Sequence, residues 1–274
     1  METQNKDKTY WHDAFFEALQ LELHQYLPSL NFIYEHQLSK QALIIDVLVI
    51  RKEHDIEIEK NIGKIFKAIN LFEFKSEKDS LTVNDYNKVM GYAYLYASSV
   101  NANVSDITVS FAVTIYPRNL LAYLENDRKF KVTYSDEGIY YIDGDTFPVQ
   151  ILESKKLSSN KNLFLKNLRS NLDIAEAKRT VDAYGKIKEF ESKNAYINRL
   201  VGANPTTFEE MIKMSDSEMK ERIWKALIVD DGWLEDQLKE RDIEKAKNFL
   251  LMDVPAEKVA EAMGLPLDMV KTLA

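Results

Sequence analysis

A nine-residue apolar stretch interrupted by one acid constrains the fold of this chain more than any other feature. It runs from Ala42 to Ile50, is rich in Ile, Val and Leu, and carries Asp46 at its centre. Apolar residues at both odd and even positions are typical of a central strand covered on both faces. Burying an ionised carboxylate there is costly unless it is paired or bound to a metal. Asp46 therefore either belongs to a functional site, or lies at a strand end or beside a lysine as a structural residue.

A second predicted strand carries an acid and a lysine two residues apart. Residues Asn70 to Lys75 alternate so that Glu73 and Lys75 lie on one face, with Phe72 and Phe74 on the other. An acid-x-Lys tripeptide occurs in many strands by chance. A plain ion pair between Glu73 and Lys75 is thus the alternative to a catalytic role.

The residues after this strand predict a helix from about Val83 to Ala97. Thr82 and Asp85 have the spacing of a capping box, with Asp in place of the usual Glu. An apolar stripe with helical spacing is expected to face the core: Tyr86, Val89, Met90, Ala93, Tyr94 and Ala97. A polar stripe of Asp85, Lys88 and Tyr92 lies on another face, and it is either solvated or lines a cleft above the two acidic strands.

Two further segments supply candidate site residues. A helix is predicted from about Lys8 to Tyr26, and Glu22 lies on or beside its apolar stripe, where a carboxylate needs a partner. A short amphipathic helix is predicted between Asp55 and Asn70. Its three lysines, spaced four and three apart, would form a basic stripe that contacts substrate: Lys60, Lys64 and Lys67.

The strand pattern continues to Leu152 and defines an α/β domain over residues 1–153. Period-two segments bounded by turn residues predict four more strands: Ile107–Tyr116, Lys129–Tyr134, Gly138–Ile142 and Phe147–Leu152. A short helix, Asn119–Glu125, is expected between the first two. Together with the earlier elements, this predicts a central mixed sheet flanked by helices.

The composition changes after this domain. Residues 154–172 contain no acid and are predicted to be a basic linker whose cations either contact DNA phosphates or are solvated: Lys155, Lys156, Lys161, Lys166 and Arg169. Residues 173–274 read as all-helical and end in a pair with helix-turn-helix spacing around Gly264. The second helix of that pair offers only Lys271 and Thr272 and carries Asp268, so a pair that caps the fold or binds protein is favoured over one that reads DNA.

Composition bounds the class of protein. The chain contains no cysteine, which excludes disulfides and thiolate metal sites. Its first ten residues are polar and charged, and no apolar run is long enough to span a bilayer, so a cytoplasmic protein without a membrane segment is expected. A net charge of −8 argues against indiscriminate nucleic-acid binding but allows a local basic groove.

The acids and the lysine of the two strands suit phosphodiester hydrolysis. Asp46 and Glu73, on neighbouring strands, offer the carboxylate oxygens that Mg²⁺ or Mn²⁺ prefers. Such an ion polarises the scissile phosphate and lowers the pKa of a bound water. Lys75 would position or deprotonate that water, or stabilise the pentacovalent charge. Glu22 would complete or orient the metal shell from the first helix.

The order of these elements resembles the PD-(D/E)XK nuclease superfamily. The local sequence is similar to that of bacterial transposase-like and Rpn-type recombination-promoting nucleases in five stretches and a C-terminal segment: Leu43–Asp46, Asn61–Phe66, Phe72–Ser76, Asp79–Leu81, Asp85–Ala93 and residues 254–266. The resemblance implies a restriction-endonuclease-like core with a mixed four-stranded sheet, Mg²⁺ dependence and DNA as substrate. One departure is that Ile45, not proline, precedes Asp46.

The resemblance also implies roles for individual residues. Asp46 matches the first acid of the family, Glu73 and Lys75 its acid-x-Lys pair, and Glu22 its helix carboxylate, while Lys88 and Tyr92 lie near its auxiliary helix motif. The resulting hypothesis is a metal-dependent DNA endonuclease linked to recombination or mobile elements.

Two alternatives remain open at this point. The first is a non-catalytic module on the same scaffold that binds nucleic acid or protein. The second is an unrelated α/β protein. Because many enzymes that cut both strands act as dimers, a homodimer is also an open arrangement.

Overall fold

A computed structural model describes residues 2–33, 48–53, 56–187 and 195–214, and towards the C-terminus residues 243, 246–251, 254–263 and 270–271. Several sequence predictions lie outside the described residues. These are the position of Asp46, most of its strand and the turn at Gly264.

Seven strands form one mixed sheet, with the spatial order β1-β2-β3-β4-β7-β6-β5. The strands β3, β4 and β7 are parallel neighbours, and every other adjacent pair is antiparallel. Their bounds are β1 Leu30–Ile33, β2 Leu48–Lys52, β3 Ile69–Lys75, β4 Ile107–Val113, β5 Lys131–Asp136, β6 Ile139–Asp143 and β7 Val149–Glu153. The predicted α/β class and mixed sheet are confirmed. The sheet has seven strands, whereas the resemblance implies a four-stranded sheet.

Eight helices are defined among the described residues, and some of them cover the two faces of the sheet. Their bounds are α1 Glu2–Glu22, α2 Val83–Val100, α3 Arg118–Asn126, α4 Leu163–Asn167, α5 Ile174–Tyr184, α6 Ala195–Ala203, α7 Pro205–Met214 and α8 Ala256–Met263. The buried residues of α2 and α3 share one core with Leu71, Val109 and Ile151 of the sheet. The buried residues of α1, α4 and α6 share the other core with Phe72 and Phe74. These faces are called the α2 face and the α1 face below.

The helix α2 starts where the sequence predicts. Thr82 and Asp85 form the expected capping box, and the left-handed backbone of Asn101, with φ of 53°, ends the helix. The predicted apolar stripe is buried with one exception. Tyr94 is half-exposed and Tyr96 is buried in its place, because the core contact continues along the helix to Ala97.

The segment predicted as a basic linker is folded into the α1-face core, so that prediction is wrong in structure although its composition is basic. Leu157, Phe164, Leu165, Leu168 and Leu172 are buried and belong to the same cluster as the apolar side of α1. These apolar residues alternate with the lysines, so the charge of the segment suggests that it is solvated although its apolar side chains are buried. The described residues give no sign of a domain boundary at residue 153, since this cluster continues from the sheet into α4 and α6.

The predicted short helix before β3 is also different in the structure. Only Asn61–Gly63 forms a single turn of 3₁₀-helix, and no α-helix occurs among residues 56–68. The lysines at positions 60, 64 and 67 therefore do not share a helical face. Asn70 stabilises this irregular backbone, since its side chain bonds to the backbone N–H and C=O of Lys67.

The described part of the C-terminal region is helical. The helices α5, α6 and α7 lie in the region that the sequence predicts to be all-helical. Val259 and Ala260 of α8 are buried together with Ala246 and Val270. Among the described residues, no helix has both the length and the apolar character needed to cross a membrane.

Candidate functional site

The candidate site lies at the C-terminal end of β3. This strand has β2 on one side and β4 on the other, and six of its seven residues are buried. Strand alternation places Glu73 and Lys75 on the α2 face and Phe74 on the α1 face, where the Phe74 ring stacks on Phe15 of α1 at 4.6 Å. The predicted separation of the two polar residues from their phenylalanine neighbours is confirmed.

Lys75 bridges two carboxylates from different elements. Its Nζ lies 3.2 Å from Oε1 of Glu73 and 2.9 Å from Oδ1 of Asp85. The other oxygen of Asp85 accepts hydrogen bonds from the backbone N–H of Thr82 at 2.9 Å and from its hydroxyl at 2.6 Å. Asp85 therefore closes the N-terminus of α2 and holds Lys75 in place with one side chain.

The charges of this cluster are set by its contacts. Burial alone would lower the pKa of Lys75, but its hydrogen bond to Asp85 and the charges of Glu73 and Asp85 outweigh burial and raise the pKa. Burial would raise the pKa of Asp85, but its bonds from Thr82 and Lys75 lower it overall. Lys75 is therefore a cation and Asp85 an anion at neutral pH, which makes Lys75 a charge stabiliser rather than a base in this arrangement.

The polar stripe of α2 begins at this cluster and continues along the helix. Asp85 contacts Lys75, and the next members of the stripe are Lys88 and Tyr92. The Nζ of Lys88 lies 5.3 Å from the centre of the Tyr92 ring, a cation–π contact on the outer surface of the helix. The structure therefore places the two auxiliary residues on the same helix face as Asp85.

The chemistry of these residues fits a hard divalent cation in part. Glu73 offers carboxylate oxygens on a buried strand end, and Mg²⁺ is commonly bound through one or two protein carboxylates with waters. Asp85 is committed to Thr82 and Lys75 and suits a positioning role. Within the described ranges, no group of three or more His, Asp or Glu side chains is arranged to hold a metal ion. Asp46, the predicted second ligand, lies outside those ranges.

The structure does not bring Glu22 to this cluster. Glu22 is 4% exposed and lies on the α1 face, where its Oε1 accepts from the backbone N–H groups of Phe164 at 2.7 Å and Leu165 at 3.1 Å. Its Oε2 lies 2.6 Å from Nζ of Lys60. The buried Glu22 carboxylate therefore has the partners that its position in the sequence predicts, namely Lys60 and two backbone N–H groups at the start of α4. The predicted role of Glu22 as a metal-shell residue with Glu73 is not supported by this placement.

The remaining predicted phosphate contacts are mostly engaged within the protein. Four pair with protein groups: Lys156 with Glu153, Lys161 with Asp136, Lys166 with the carbonyls of Lys155 and Leu157, and Arg169 with Glu176. Lys155, Lys64 and Lys67 are exposed. Lys67 lies two residues before the start of β3, at the end of that strand opposite Lys75.

Sequence reasoning missed two acids near the strand ends. Asp85 was predicted as a capping-box residue and a member of a polar stripe, but not as the partner of Lys75. The signal for that contact is a capping box that closely follows a strand ending in lysine. Glu153 ends β7, in register with Val113 of β4, which is in register with Lys75 of β3. Its Oε2 accepts from the Tyr140 hydroxyl at 2.9 Å and lies 3.0 Å from Nζ of Lys156. An acid at the end of a predicted strand, followed by two lysines, is the signal for this second cluster.

Comparisons with known proteins assign no family to this chain. No protein-family model, no curated protein and no solved structure matches the chain.

Proposed function

We propose that this chain is a cytoplasmic metal-dependent DNA endonuclease with a restriction-endonuclease-like core. The observation that carries the proposal is the arrangement of Glu73 and Lys75 at the end of a central strand, with the Lys75 ammonium held 3.2 Å from Glu73 by Asp85 of the next helix. A fixed carboxylate beside a fixed cation suits a reaction that needs a metal ligand and a charge stabiliser next to one phosphate.

Each residue of the cluster has a defined part in this proposal. Glu73 would hold Mg²⁺ or Mn²⁺ together with Asp46, and the bound ion would supply an activated water and polarise the phosphate. Lys75, kept protonated by its two acidic neighbours, faces the charge that develops on the phosphoryl oxygens. Asp85 sets the position of that cation. A homodimer would provide two such sites for cutting both strands.

A binding module on the same scaffold is the second candidate. The observation that favours it is that Lys75 already has a carboxylate on each side, an arrangement that also serves as a purely structural ion pair between β3 and α2. In that case the protein would bind DNA or another protein without cleaving it.

Cleavage of supercoiled plasmid DNA separates the two candidates. The wild type is incubated with Mg²⁺, with Mn²⁺ or with EDTA, and compared with Asp46→Ala under the same conditions. The proposal predicts metal-dependent nicking by the wild type that is lost in Asp46→Ala. Plasmid that is bound but never nicked, or nicking that the substitution leaves unchanged, contradicts it.

A further inference from the structure

Three tyrosines and a lysine form an exposed aromatic surface on the α2 face. Tyr140 is buried at its centre, and the rings of Tyr116 and Tyr134 lie on either side, each 5.5 Å from the Tyr140 ring. Tyr116 is 39% exposed and Tyr134 is 59% exposed. The Nζ of Lys156 lies 5.1 Å from the centre of the Tyr116 ring. These four residues are called the tyrosine surface.

The tyrosine surface is held in place from below. Tyr134 and Tyr140 are paired across β5 and β6, and the Tyr140 hydroxyl donates to Glu153 at the end of β7. Gly138, in the turn between β5 and β6, has a φ of 75°, and a Cβ there would lie 2.7 Å from the carbonyl oxygen of Glu153. Only glycine allows this turn to close on β7. The exposed rings therefore stand on a fixed support.

The charge of the surface is suited to an anionic ligand. Glu153 is buried beneath the rings, and its charge is offset by Lys156, whose side chain is 55% exposed. The neighbouring Asp136 is offset by Lys161 at 2.8 Å. Solvent thus meets two exposed aromatic rings, with the Lys156 ammonium 5.1 Å from the centre of the Tyr116 ring and the Glu153 carboxylate buried underneath.

The surface is adjacent to the candidate site. Glu153, Val113 and Lys75 are in register on three neighbouring parallel strands, so their side chains point to the same face. Two strand spacings separate Glu153 from Lys75, about 10 Å. Tyr116 lies three residues beyond the end of β4, the strand between β3 and β7. A chain bound at Lys75 would therefore reach the tyrosine surface within a few nucleotides.

We propose that the tyrosine surface stacks unpaired bases, and that the substrate of this protein is DNA with a single-stranded segment beside the cleaved phosphate. Exposed aromatic rings accept any base by stacking, and lysines beside them attract the backbone. Bases inside an intact duplex are stacked on one another and do not present their faces to such rings. The identity of the substrate rests on the proposed function, whereas the stacking of unpaired bases concerns binding alone and does not require cleavage.

Fluorescence anisotropy with a labelled oligothymidylate tests the inference. Binding is measured in EDTA, which prevents cleavage, for the wild type, Tyr116→Ala, Tyr134→Ala and Tyr134→Trp. Each alanine variant is expected to bind about five- to 100-fold more weakly, the range for loss of one stacked base, and Tyr134→Trp is expected to bind as the wild type does. Tyr94→Ala is the matched control, since Tyr94 is half-exposed but its ring lies on Phe147 at the other end of β7.

Three results would overturn the inference. The first is unchanged affinity in both alanine variants while their thermal unfolding matches the wild type. The second is an equal loss of affinity for a blunt duplex of the same length. The third is a wild-type dimer, seen by light scattering, that dissociates in Tyr134→Ala, because the surface would then bind a second copy of the chain.

The failure of this inference is distinguishable from the failure of the proposed function. Weaker oligothymidylate binding by the tyrosine variants without any metal-dependent cleavage supports the tyrosine surface and contradicts the nuclease. Metal-dependent cleavage by Tyr116→Ala and Tyr134→Ala with wild-type affinity supports the nuclease and contradicts the role of the tyrosine surface.

Discussion

The Nζ of Lys75 lies 2.9 Å from Oδ1 of Asp85, the residue that also closes the capping box of α2. The same carboxylate thus caps the N-terminus of a helix and fixes the lysine of the candidate site. The geometry of the site is therefore coupled to the stability of the helix that covers it. This coupling can be tested by removing the two functions separately.

Thr82→Ala and Asp85→Ala separate the cap from the lysine contact. Each substitution removes one of the two reciprocal bonds of the capping box, so each is expected to lose about 1 kcal/mol of stability from the cap, measured as a lower urea midpoint with an unchanged slope. Only Asp85→Ala also frees Lys75. We expect it to reduce cleavage strongly while Thr82→Ala cuts DNA at nearly the wild-type rate. Equal loss of cleavage in the two variants would show that the cap, not the lysine contact, matters.

The ion pair between Lys75 and Asp85 is expected to contribute the same stability over a wide pH range. The pKa of Asp85 is lowered from 3.8, so its contribution is present above that value and is lost as the pH falls through its folded-state pKa. The pKa of Lys75 is raised from 10.5, so its contribution is lost only as the pH rises through its own folded-state pKa. The difference in urea midpoint between the wild type and Asp85→Ala is therefore expected to stay constant from about pH 5 to about pH 9, since this range lies between the ordinary pKa values of the two groups.

Glu22 is expected to stabilise the fold rather than take part in cleavage. Glu22→Ala leaves the buried N–H groups of Phe164 and Leu165 without their acceptor and Lys60 without its partner. The expected cost is about 2–4 kcal/mol, measured by urea unfolding. Glu22→Gln keeps an acceptor for the two N–H groups and should cost less. A large loss of cleavage by Glu22→Gln without loss of stability would contradict this structural role and support a role of Glu22 in cleavage.

Glu22 also predicts a specific pH dependence of stability. Burial raises its pKa above 4.5, although Lys60 and the two N–H groups oppose the shift. The folded state therefore holds this proton more tightly than the unfolded chain does. Its contribution to the free energy of unfolding falls as the pH rises from about 4.5 to the folded-state pKa and is constant above it. Glu22→Gln should remove this part of the slope, which thermal unfolding at a series of pH values would show.

The basic residues after β7 are expected to divide into structural and exposed ones. Arg169 binds both oxygens of Glu176 at 2.7 Å and the carbonyls of Ser170 and Asn171. Arg169→Ala should lower the free energy of unfolding by about 1–3 kcal/mol. Lys155 is exposed, so Lys155→Ala should leave unfolding unchanged. If Lys155 contacts a phosphate, its loss reduces the slope of DNA affinity against salt concentration by about one, and an unchanged slope excludes that contact.

Much of the fold follows from local patterns in the sequence. The alternation of Glu73 and Lys75 against Phe72 and Phe74 is enough to predict which side chains share a face, because strand periodicity admits only two faces. The capping box at Thr82 was equally readable, since the residues that make it are adjacent in sequence. Both predictions depend on contacts within a few positions.

The errors come from contacts between distant segments. Glu22 is buried by a segment about 140 positions later, where Phe164 and Leu165 provide N–H groups that no local pattern reveals. The same long-range packing converts an apparently solvated basic segment into part of the core. Lys60 illustrates the same limit, because its spacing with two other lysines suggested a helix, whereas its ion pair with Glu22 decides its position.

Metal-dependent nicking of plasmid DNA by Glu73→Gln tests the central claim most directly. The substitution keeps the size of the side chain and leaves Lys75 its bond to Asp85, so the fold should persist, and Glu125→Gln on the exposed side of α3 is the matched control. Loss of Mg²⁺- and Mn²⁺-dependent nicking in Glu73→Gln, with wild-type nicking by Glu125→Gln, is the predicted result. Nicking by a folded Glu73→Gln at the wild-type rate would contradict the assignment of the site.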